Sequence, residues 1–125
     1  MKSNVPGLDF ISQLRPVTYQ VNSNALADHV GLSEEAKNDS GVQEGMQLKA
    51  QEIQTGFIAQ EVEKAAQEAG FNFSGVISPK DDNTTYRLRY AEFVVPLVKA
   101  VQEQQEMIET LQQEIENIKK ELAKK

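Results

Sequence analysis

The spacing of apolar residues changes several times along this chain, and each change marks a predicted element. Leu8, Ile11 and Leu14 recur at every third position with Phe10 beside them, which predicts a short helix opened by Pro6 and Gly7 and ended by Pro16. Val17, Tyr19 and Val21 then alternate with Thr18 and Gln20, the pattern of a half-buried strand. Thr55 to Ala59 reads as a second strand, with Phe57 and Ala59 on one side and Ile58 on the other. Val62, Ala65, Ala66 and Ala69 follow at helical spacing, and Gly70 supplies a stop. Phe71 and Phe73 alternate and run into Val76 and Ile77, a third strand closed by a turn over Pro79, Lys80, Asp81, Asp82 and Asn83. Tyr86, Leu88 and Tyr90 alternate with Arg87 and Arg89 as a fourth strand. A last helix begins between Ala91 and Pro96, where the proline marks either its first turn or a kink.

Between the first two strands, residues 22–54 break this rhythm. They are polar, rich in Asp, Glu, Asn and Ser, and hold no Phe, Tyr or Trp. They read as a partly helical surface insertion. Ala25, Leu26 and Ala27 offer one short helix, and Ser33 before Glu34, Glu35 and Ala36 marks the start of another. Asn38, Asp39, Ser40 and Gly41 read as a loop. An ordered piece over Gln43 to Ile53 has only Met46 and Leu48 to define a face.

The last third carries a heptad repeat. Leu97, Val101, Gln104, Ile108, Leu111, Ile115, Ile118 and Leu122 follow one another in alternating steps of four and three. Such a seam lies along one side of a helix that cannot bury it alone, so the chain is expected to oligomerise through parallel helices. Val101, Ile108, Ile115 and Leu122 take position a; Leu97, Gln104, Leu111 and Ile118 take d. This mixture leaves dimer and trimer close. Gln104 puts a polar side chain in a core layer, which lowers stability and can fix register. Glu114 at g and Lys119 at the following e meet with opposite charge across parallel chains, a pair worth under about 1 kcal/mol that selects orientation. The alternative is a seam folded back on its own domain, which the length of the run disfavours. A DNA-binding zipper is weaker still, because Tyr90, Ala91, Glu92, Phe93, Val94 and Val95 form no basic region.

Together the elements predict an α+β fold. Residues 1–95 form a small globular domain of short strands and helices, with the polar insertion at 22–54, and residues 96–125 form a long coiled-coil helix of roughly 40–45 Å.

Composition narrows the partners. The net charge of −6 opposes binding to nucleic acid or to an anionic membrane surface. No apolar run approaches the ~18 residues of a membrane span, and Met1 to Pro6 does not read as a signal peptide. With no cysteine there is no thiol chemistry.

Candidate chemistry is sparse. His29 has Asp28 beside it but no second histidine, and reads as a solvated or edge-packed side chain rather than a ligand. Gly41 and Gly45 do not make a phosphate loop. Glu61, Glu63 and Glu68 fall on the polar face of a short helix, with Lys64 within a turn of Glu61 and Glu68. Lys2 and Ser3, adjacent at the chain end, cannot hold a serine–lysine dyad geometry between themselves. Arg87 and Arg89 share one strand face, open to solvent or to acidic residues of another copy. No metal and no cofactor is expected.

Three blocks carry a resemblance. Leu14-Arg15-Pro16-Val17-Thr18-Tyr19, Thr55-Gly56-Phe57-Ile58-Ala59-Gln60-Glu61-Val62, and Leu88-Arg89-Tyr90 leading into Pro96-Leu97-Val98-Lys99-Ala100-Val101-Gln102-Glu103 are similar to the endosialidase-type C-terminal intramolecular chaperone domain of phage tail spikes, tail fibres and related bacterial proteins. The resemblance implies a homotrimer, with a parallel trimeric coiled coil, that assists folding of an upstream segment of the same polypeptide. It implies a phage tail or bacterial cell-surface setting. Many members then release themselves with a serine in a Ser-Asp dipeptide and a lysine opening a Lys-x-Asn-Ile/Val segment. Lys2-Ser3-Asn4-Val5 resembles that segment, so the family's lysine would fall on Lys2. Ser3 does not match the family serine, which would fall ahead of Met1. The chain as it stands is expected to act without catalysis. Autoproteolysis is expected only where a Ser-Asp precedes Lys2, and a permanent trimerisation cap is the third expectation.

Overall fold

A computed structural model describes residues 1–22, 25 and 31–124. The fold is α+β, with short strands and a long C-terminal helix. In chain order the described elements are α1 (Leu8–Ile11), β1 (Val17–Tyr19), α2 (Glu34–Asn38), α3 (Ser40–Gln51), β2 (Gln54–Gly56), α4 (Ala59–Glu68), β3 (Val76–Ile77), β4 (Arg87–Leu88), a 3₁₀ turn (Tyr90–Phe93) and α5 (Val94–Ala123). Two compact units result: Met1–Arg15 with Ile58–Lys125, and Pro16–Phe57.

The first unit is built around an aromatic cluster. Phe10 is fully buried, with ring centroids 5.4 Å from Phe71 and 4.9 Å from Phe73. Phe93 meets Phe73 edge-on at 4.8 Å. These separations fall in the range where aromatic pairs gain beyond their buried area. Val62, Ala65 and Ala66 turn the apolar stripe of α4 into the same core, and Pro96 and Ala100 bring the first turns of α5 to it. Small side chains at Ala65, Ala66 and Ala100 let backbones approach the rings. Gly75 completes the packing, since a Cβ there would run into the Phe73 ring. β3 and β4 pair antiparallel, Val76 opposite Leu88 and Ile77 opposite Arg87.

The second unit pairs β1 with β2 antiparallel, Val17 opposite Gly56 and Tyr19 opposite Gln54. The described part of the insertion between them holds α2 and α3. Ser33 caps α2 by accepting the Ala36 N–H at 3.1 Å. The residues from Asn38 to Gly41, expected as a loop, shrink to a single hinge residue. Asp39 ends α2 and caps α3, its carboxylate accepting from Gly41 and Val42 at 2.9 and 3.1 Å. Loops and helix starts use the same residue types because both need a short polar side chain to satisfy free backbone N–H groups. The expectations for Leu26, Asp28 and His29 lie outside the described residues.

Other boundaries moved for identifiable reasons. The second strand stops at Gly56 rather than Ala59, because the Ile58 carbonyl already accepts from Glu61 and Val62 as the start of α4. Phe71 and Phe73 are irregular rather than paired, since both rings are drawn into the Phe10 cluster, and only Val76–Ile77 remains strand. In α1, which ends at Ile11, Phe10 takes the core while Leu8 and Ile11 are only half-buried, as is Leu14 beyond the helix. Tyr90 leaves the fourth strand to open the 3₁₀ turn. Pro96 stands in the first turn of α5, where its missing N–H costs little.

Candidate functional site

α5 runs for 30 residues yet buries only Pro96 and Ala100. From Gln104 to Lys124 every residue is exposed. The seven aliphatic seam residues, Leu97, Val101, Ile108, Leu111, Ile115, Ile118 and Leu122, stand 47 to 64% exposed. Gln104 is exposed in line with them. The sequence pattern did not reach far enough back: Val94 lies one heptad before Val101 and is equally open, as are Val95 and Val98. The outer face is polar and self-satisfied, with Gln105 donating to Glu109 at 3.2 Å and Gln113 to Asn117 at 3.1 Å. An aliphatic stripe opposite a polar face gives this helix a surface for apolar association along most of its length.

At its base α5 is tied to the start of the chain. Glu103 accepts the Leu8 N–H at 2.9 Å. Gly7 passes so close that a Cβ would lie 2.7 Å from the Ala100 nitrogen and 2.9 Å from the Lys99 carbonyl carbon, besides meeting the Glu103 carboxylate. Only glycine fits this crossing without displacing backbone. Ser3 and Val5, with Val95, Val98, Lys99 and Gln102, line an open groove of about 320 Å³ beside it. Lys2 is exposed next to this groove's Ser3.

Two of the resemblance blocks meet through a pair that sequence reading did not single out. Arg15 clasps Glu61 with both ends of its guanidinium, Nε to Oε1 at 3.0 Å and Nη2 to Oε2 at 2.6 Å. The hydrogen bond holds the Glu61 carboxyl below its ordinary range and the guanidinium above its own. The sequence placed Lys64 within a turn of both Glu61 and Glu68; Lys64 faces Glu68 at 4.0 Å, and Glu61 turns to Arg15. The missing signal was long-range, since 46 positions separate Arg15 from Glu61. Glu63 accepts from the Ser78 hydroxyl at 2.9 Å and from the Tyr86 hydroxyl, which with desolvation raises the Tyr86 phenol above its usual range. Arg87 and Arg89 are exposed, and the Arg89 N–H donates to the Gly75 carbonyl at 2.7 Å.

Among the described residues no group of three His, Cys, Asp or Glu side chains converges as a metal site, and no helix is long and apolar enough to cross a membrane. A polar cleft of about 670 Å³ in the insertion is lined by residues including Glu34, Lys37, Gln43 and Met46.

The arrangement is that of an α+β unit with a projecting amphipathic helix. The sequence profile of the family described as chaperone of endosialidase, classed among the serine peptidases, matches residues 1–71. The chain belongs to that family. The matched stretch holds the Arg15 and Glu61 blocks and Lys2, and ends ahead of β3, β4 and α5. Neither the curated proteins nor the solved structures gave a match.

Proposed function

We propose that this chain is a trimer-forming intramolecular chaperone, in which the α5 helices of three copies join in parallel and promote folding of an upstream fibre or spike segment of the same polypeptide. The observation that carries the reading is the aliphatic seam left open from Leu97 to Leu122. Each of these side chains still exposes about half its surface. Withdrawing that half from water gains about 1 kcal/mol per side chain per copy, which is ample for association along several heptads. Chaperone family membership supports a folding role, and the trimer, rather than a dimer, follows the resemblance. In this reading residues 1–95 are the chaperone domain and 96–125 the coiled coil.

The physical role follows from tethering. Joining three chain ends raises the local concentration of the attached segments to about the millimolar range. Intertwined β-rich trimers fold slowly because their contacts are distant in sequence. A helical bundle that forms early removes the association step and fixes register.

The test is the pair Ile108→Asp with Ile115→Asp. It is expected to turn a trimer into a monomer in sedimentation and to abolish recovery of assembled client on refolding. An unchanged mass and an unchanged client yield overturn the proposal.

A second reading is favoured by the family's place among the serine peptidases: Lys2 as half of a self-cleaving dyad whose serine lies ahead of Met1. In a polypeptide carrying a Ser-Asp there, Lys2→Ala is expected to stop cleavage. Cleavage at the unaltered rate removes Lys2 from the mechanism. A product that stays intact after folding, without any cleavage, identifies a permanent cap instead.

A further inference from the structure

The base of α5 carries more apolar surface than a two-position seam requires. Extending the register back from Val101 puts Val94 at a, Val95 at b, Leu97 at d and Val98 at e, and all four are about half exposed. Higher on the helix the e positions are Gln105, Gln112 and Lys119, and the b positions Gln102, Glu109, Glu116 and Ala123. Branched aliphatic e and b residues are thus confined to the base.

The two flanks of that base differ. On the g and c side, Phe93, Ala100 and Pro96 are buried, and Glu103 holds the Leu8 N–H at 2.9 Å. The chain's own α1 packs against the helix there. On the e and b side, Val98 and Val95 stand open, and with Val5 they form the apolar part of the 320 Å³ groove. The incoming chain crosses between the flanks over Lys99, at the Gly7 contact.

Heptad geometry sets these unlike flanks against each other. In a parallel bundle the g side of one helix faces the e side of the next. A contact between unlike surfaces closes into a ring when the rotation closes. On this basis, which rests on the parallel trimer proposed above, we infer that the Val95–Val98 groove of each copy is filled by a second copy. The filling surface is the α1-bearing side of the neighbour's globular unit. That side offers Leu8 and Ile11, aliphatic residues only half-buried within one chain. The globular units therefore form a collar around the base and take part in assembly themselves. The collar supports the bundle beside the polar Gln104 layer, and its unlike flanks allow the ring to close with one hand only.

The chain has no cysteine, so Val98→Cys combined with Ile11→Cys introduces the only two thiols. Oxidation of the full chain is expected to give a covalent trimer on non-reducing gels. Val98→Cys combined with Lys80→Cys is expected to stay unlinked. A sedimenting trimer that does not cross-link through Val98 and Ile11, or links within one chain, overturns the collar and leaves the seam standing. A chain that sediments as a monomer overturns both. Independently, Val98→Lys is expected to weaken association at least tenfold, while Gln112→Lys, at a higher e position, changes it less than twofold. Equal effects of the two, or groove protection that appears only when an upstream client is attached, overturn the collar.

Discussion

α4 and α5 are both amphipathic helices of one chain, and they meet opposite fates. The ten residues of α4 bury Val62, Ala65 and Ala66 in the Phe10 cluster. The thirty residues of α5 bury two, and both lie in its first turns. The difference lies in length and in side-chain size. α4 presents one short stripe of small residues that a few aromatic rings can cover. α5 presents a stripe of Ile and Leu reaching roughly 45 Å, far beyond what the remaining core can wrap. An apolar stripe becomes core where its own chain can reach it, and stays exposed where it cannot.

The comparison is broken most severely from the α4 side. Phe10→Ala should cost about 3–5 kcal/mol, because the fully buried ring meets three other phenylalanines and its loss leaves a cavity. The denaturation midpoint should fall by the same amount at every protein concentration, since the loss is within one chain. Ile115→Ala tests the other side. It should cost about 2–5 kcal/mol at concentrations where copies associate and almost nothing at high dilution. A cost independent of concentration would place that side chain inside a single chain. Gly7→Ala should cost about 1–3 kcal/mol by forcing the chain off the α5 backbone, read as a lower melting temperature. Gln104→Leu should sharpen the contrast by raising association by about 1 kcal/mol, with looser choice of helix number detected by sedimentation.

Much of this architecture was legible in sequence. The heptad seam, the α4 stripe and the Ser33 cap are local patterns, and periodicity reports such patterns directly. The convergence of Phe10, Phe71, Phe73 and Phe93 was not legible, because aromatic residues from distant segments carry no shared period. For the same reason Phe71 and Phe73 read as strand residues when they serve as core anchors. Glu61 read as a solvated charge, and nothing local in the sequence tied it to Arg15. The seam itself was read from Leu97, but Val94, Val95 and Val98 needed coordinates. A valine next to a buried Phe93 and Pro96 looks like core until exposure shows otherwise.

The smallest expected effects are pH-dependent. The folded Glu61 carboxyl titrates below its unfolded value, so its contribution is present above the ordinary carboxylate range and fades as pH falls through the folded value. Glu61→Gln should flatten the acid side of a stability profile slightly, the pair being exposed. Tyr86 has the opposite sign. Its phenol is raised, so its contribution is present below the ordinary tyrosine range and is lost as pH climbs through the folded value. Tyr86→Phe should remove that alkaline loss.

Sedimentation equilibrium of the unaltered chain over a wide concentration range addresses the open seam most directly. Association through α5 predicts a species of three times the 14.0 kDa chain mass, dissociating on dilution with loss of helical signal. A single 14.0 kDa species whose α5 stays helical at every concentration would contradict it.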